Sequence, residues 1–82
     1  MYKNILKNYN KRSMVGIFKT NISTVHDKNK VIRAITANFR VSACSVDIED
    51  CDKVLRIISH EEGETALMEF VKRMGYYCDL LD

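Results

Sequence analysis

The sequence predicts an α+β domain in which two helices cover one face of a four-stranded antiparallel sheet, its elements following one another as βαββαβ. Three observations carry this expectation. Runs rich in β-branched and aromatic residues alternate with two stretches whose apolar residues recur at helical steps. An aspartate-rich break joins the middle two runs as a hairpin would. The chain has 82 residues, 46% hydrophobic and 29% charged, which is enough for one core and too little for two.

Each element has its own warrant. Val15 to Ile22 reads as a strand, and Ile17 beside Phe18 makes it apolar on both faces, as a central strand is; the pattern leaves open which face is inward. Val31, Ala34, Ile35, Asn38 and Phe39 then recur at steps of three and four, a helix over Val31 to Phe39 whose free N–H groups either Thr24 or Asp27 can accept. Cys44, Val46 and Ile48 alternate with Ser45, Asp47 and Glu49, which points Cys44 inward from a strand covered on one side. Asp50 to Lys53 is the turn into the next strand, Val54 to Ile58. Ser59 and Glu62 have capping-box spacing ahead of the stripe Ala66, Leu67, Phe70, Val71 and Met74, which Gly75 ends, and Tyr76 to Leu81 closes the sheet. Such an order buries both helical stripes by packing them side by side, the ferredoxin-like sandwich. In that fold the loops Thr24 to Asp27, Glu49 to Asp52 and Met74 to Tyr76 share one end of the sheet, and His60 lies at the other.

Composition narrows the function classes. Residues 1–13 form a basic N-terminal arm, with Lys3, Lys7, Lys11 and Arg12 interleaved with Tyr2, Ile5, Leu6 and Tyr9, ahead of a single domain over 14–82. Met14 is an alternative natural start. A formal charge of +2 is too small to imply a nucleic-acid partner, and the strands lack the exposed aromatics and RNP-like motif of an RNA-reading sheet. No apolar run is long enough for a membrane span. Three cysteines without a C-x-x-C pair or a secretory segment point to a reducing, cytoplasmic address. Cys44 and Cys78 read as small core residues.

The loop Ile22-Ser23-Thr24-Val25-His26-Asp27, the run Ser45-Val46-Asp47-Ile48-Glu49 and the turn Met74-Gly75-Tyr76 together carry a resemblance. From about Val15 to Leu81 the chain resembles the heavy-metal-associated domain family, whose copper and zinc carriers hold metal through a Met-x-Cys-x-x-Cys loop between the first strand and the first helix. Ile22 falls at the methionine of that loop, Thr24 and Asp27 fall at its two cysteines, and Val31 falls at an apolar position of the following helix. The resemblance implies the scaffold. It does not imply the chemistry, because threonine and aspartate cannot replace two thiolates as ligands for a soft ion.

Two functions from different classes follow. The preferred one is a non-enzymatic binding or regulatory module that acts on an unknown protein partner and self-associates as a homodimer through its sheet edges. The alternative is a divergent metal-binding protein, with zinc held by His26, Asp27 and Cys51; against it, His26 reads equally as a solvated loop residue, Asp27 as a helix cap and Cys51 as an exposed hairpin residue. No catalytic residue is assigned: Cys51 with His26 is the one Cys–His combination the topology favours, and no third group orients the histidine. The acidic stretch Asp47, Glu49, Asp50 and Asp52 lacks the glycine and ligand spacing of a calcium loop and reads as a solvated negative tip.

Overall fold

A computed structural model describes residues 13–81. The basic arm expected over residues 1–13 therefore lies, apart from Ser13, outside the described residues. The elements are β1 (Met14–Thr20), α1 (Val25–Asn38), β2 (Val41–Asp47), β3 (Val54–Ser59), α2 (Glu64–Arg73) and β4 (Cys78–Leu80). The four strands form one antiparallel sheet in the order β2-β3-β1-β4. This is the expected α+β ferredoxin-like arrangement. No helix among the described residues is long and apolar enough to cross a membrane.

Pairing fixes which side chains face the helices. In β1, Gly16, Phe18 and Thr20 are buried while Val15 is 59% exposed, so the even-numbered positions point inward. Their partners across the ladder, Ile57 opposite Gly16 and Leu55 opposite Phe18, are fully buried as well. Next along the sheet, Cys44 and Val46 stand opposite Ile57 and Leu55, which turns Cys44 inward as the alternation predicts. From the helices come Val31 and Ile35 of α1 and Leu67 and Val71 of α2, all fully buried. At the C-cap of α1, Phe39 meets Phe70 of α2 edge to face at a centroid distance of 4.9 Å, a favourable aromatic geometry.

Gly16 has a steric reason to be glycine. A Cβ built there would lie 2.8 Å from Cε2 of Phe18, so the buried ring lies back along its own strand into the space a side chain would take. Gly75 has a conformational reason: its φ of +102° is a region that side-chain-bearing residues seldom adopt.

Several boundaries differ from those the sequence predicts. The first strand ends at Thr20, because Thr20 Oγ1 accepts from the Ile22 N–H at 3.1 Å and turns the chain out of the sheet. α1 starts at Val25, ahead of its apolar stripe: Thr24, in extended conformation, accepts the Asp27 N–H at 3.1 Å. Thr24 is thus the N-cap, and Asp27 sits inside the first turn, where its charge suits the helix dipole. Ser59 accepts the Glu62 N–H at 3.1 Å as the capping-box spacing predicts, yet Ser59 is the buried last residue of β3 and α2 is entered later, through Gly63. The last strand is shorter than expected, because the Tyr77 N–H is taken by Asn21 Oδ1 at 2.9 Å and not by a strand.

Candidate functional site

One end of the sheet is assembled from three loops: the β1–α1 loop, the β2–β3 hairpin and the α2–β4 turn. Hydrogen bonds tie them together. The Thr20 N–H donates to the Asp52 carbonyl at 3.0 Å and its hydroxyl to the Lys53 carbonyl at 2.6 Å, which fastens the hairpin to the end of β1. Asn21 accepts from Tyr77, and the Tyr76 phenol lies near enough to the Asp27 carboxylate to be perturbed by it. Partial burial of Tyr76, helped by the neighbouring Asp27 carboxylate, holds its phenol above its usual pKa. The expected clustering of the three loops is therefore present.

The hairpin's acidic residues are its turn-makers. Asp47 Oδ1 accepts the Glu49 N–H at 3.1 Å and Asp50 Oδ1 accepts the Asp52 N–H at 2.8 Å, the side-chain turns that aspartate forms readily. The Lys53 N–H then donates to the Asp50 carbonyl at 3.0 Å, with Lys53 at a positive φ of 48°. Cys51 is exposed at the tip. Ligand atoms of Asp50, Cys51 and Asp52 lie within 4.8 Å of one another. This is the convergent group of metal-ligating side chains among the described residues, and it shares only Cys51 with the set His26, Asp27 and Cys51.

His26 is an exposed residue of the first turn of α1, not of a loop. A cationic imidazole there would oppose the helix dipole, whereas Asp27 one residue on complements it. His60, as expected, lies at the opposite end, where its Nδ1 is 3.1 Å from Ser13 Oγ. The Asp27–Tyr76 and Asn21–Tyr77 contacts have no sequence signal of their own; the topology brings their loops together, but neither pair has a spacing that announces it.

The cysteines divide by environment. Burial pushes the thiols of Cys44 and Cys78 up to about 11, and a protonated thiol is a poor nucleophile and a poor metal ligand at neutral pH. Two outcomes follow. Iodoacetamide at pH 8 should label Cys51 first and leave Cys44 and Cys78 protected, as peptide mass spectrometry would report; equal labelling of all three would contradict the burial. A raised folded-state value also means that the folded chain holds these protons longer than the unfolded one. That stabilising contribution is complete below about pH 9 and lost as the pH rises towards about 11. Urea midpoints of the reduced protein should accordingly fall across that interval, and less so for a Cys44→Ala variant.

No protein-family model, curated protein or solved structure matches the chain.

Proposed function

We propose that this chain is a small non-enzymatic binding or regulatory module, a degenerate relative of the heavy-metal-associated domains that works through protein–protein contacts in the cytoplasm. The observation that carries this reading is the engagement of the two residues at the family's cysteine positions. The Thr24 hydroxyl is the N-cap of α1, accepting the Asp27 N–H, and the Asp27 carboxylate sits in the first helical turn beside Tyr76. Both residues thus take part in starting the helix, Thr24 as its cap and Asp27 through its N–H and its charge, so the position that serves as a metal grip in the resembled carriers serves here as a helix start. The raised thiols of Cys44 and Cys78 support the non-enzymatic part of the reading, since neither is primed as a nucleophile.

A second reading, a divergent zinc protein, draws on the convergence of Asp50, Cys51 and Asp52. Native mass spectrometry of the reduced protein with Zn(II) and Cu(I), beside a Cys51→Ser, His26→Ala variant, separates the two. The module reading expects no stoichiometric uptake and an oligomer distribution that metal leaves unchanged. Stoichiometric uptake that the double variant loses would overturn it in favour of metal binding.

A further inference from the structure

The sheet has two edges, and they are unlike. β4 is three residues long, and beyond it the Leu81 N–H still bonds the Ile17 carbonyl at 3.0 Å. β2 runs for seven residues, Val-Ser-Ala-Cys-Ser-Val-Asp, with neither the proline nor the lysine that commonly guards an edge. Its one guard is an irregularity between Val41 and Ala43, which leaves Ala43 to Asp47 as a regular open edge.

The direction of the backbone groups on that edge follows from the register. Ile17 turns its carbonyl to β4, so Gly16 and Phe18, the alternate positions of β1, turn theirs to β3, where they face Ile57 and Leu55. Arg56 and Val54 must then face β2 and bond their opposites, Ser45 and Asp47. Cys44 and Val46 are left with N–H and C=O groups directed away from the sheet, disposed symmetrically about Ser45.

We propose that β2 is the surface through which a second copy of this chain docks, antiparallel, with Cys44 of each copy opposite Val46 of the other and Ser45 on the two-fold axis. The inference rests on the protein-contact reading and names the partner. Three features argue for a second copy. The free backbone groups are self-complementary only in the antiparallel sense, and this register uses those of both residues in both copies. Charge agrees: β2 follows Arg40 and ends at Asp47, with Glu49, Asp50 and Asp52 just beyond, so an antiparallel pair lays each cationic start along the other's acidic tip. Arg40 meets Glu61 through one terminal nitrogen at 3.3 Å, which leaves donors of its fork free. The side chains also allow it. Cys44, only half-buried, and buried Val46 continue the helix-facing layer across the junction, while the outer face carries small, exposed Ala43 and Ser45.

Sedimentation velocity on reduced protein, with backbone amide exchange, tests this. The wild type should form a concentration-dependent dimer in which the Cys44 and Val46 amides exchange more slowly as concentration rises. Ser45→Lys and Ser45→Glu each set like charges across the axis and should sediment as monomers, whereas their equimolar mixture should return to dimer. Circular dichroism checks that both variants fold, and the wild-type dilution series stands without them. A monomeric wild type, or a dimer indifferent to both substitutions with Cys44 and Val46 unprotected, would overturn the inference. If that protein also takes up no metal, the module reading survives with a different partner; stoichiometric zinc uptake would instead remove the reading itself.

Discussion

Phe18→Ala should cost the domain about 3–5 kcal/mol, the range for truncating a buried aromatic. Phe18 is fully buried on the central strand, opposite Leu55 on one side and Leu80 on the other. Domains of this size hold a net stability of only about 5–10 kcal/mol, so the variant should be largely destabilised in urea unfolding followed by circular dichroism. Gly16 makes the prediction sharper. Gly16→Ala places a methyl 2.8 Å from the ring of Phe18, and the ring, buried on all sides, has little room to yield. Overpacking of this kind costs about 1–3 kcal/mol. In a Phe18→Leu background the obstacle is gone, so the same glycine substitution should cost markedly less. A double-mutant cycle that returned simple additivity would show that the ring and the glycine are not coupled.

Thr20→Val should destabilise by about 2 kcal/mol although it preserves shape, because it removes a hydroxyl with two partners. That hydroxyl donates to the Lys53 carbonyl and accepts from the Ile22 N–H, a buried contact. Valine would leave a buried backbone donor without an acceptor. Thr20→Ser keeps the hydroxyl and should retain most of the stability. The two variants should also differ locally: amide exchange in the hairpin from Asp50 to Lys53 should quicken in the valine variant and stay slow in the serine variant. Equal loss in both would mean that the methyl, not the hydroxyl, is what Thr20 contributes.

Much of this architecture is legible in the residues, and the reasons are physical. Alternation at Cys44, Val46 and Ile48 and helical recurrence at Leu67, Phe70, Val71 and Met74 reflect burial, which the sequence records directly. Element ends are less legible because they depend on individual hydrogen bonds. Thr24 begins α1 at a place where no apolar stripe yet marks the helix, and Ser59 has the spacing of a cap while lying at the end of a strand. At the candidate site, the meeting of three loops follows from topology alone. The proximity of Asp27 to Tyr76 depends on side-chain placement that no periodicity encodes.

The strand order has a consequence for how the chain reaches its fold. β1 is the first of the described strands yet takes the centre of the sheet, and its partners there arrive later: Phe18 pairs with Leu55 and Leu80, both far along the chain. The β2–β3 hairpin, by contrast, closes over a short turn. Local pairing should therefore precede insertion of the first strand, and the rate of that insertion bears the entropy of closing a long loop. Until it happens, Met-Val-Gly-Ile-Phe-Lys-Thr is an apolar strand with both edges bare. During synthesis that stretch is the part of the chain most open to mispairing with a neighbour.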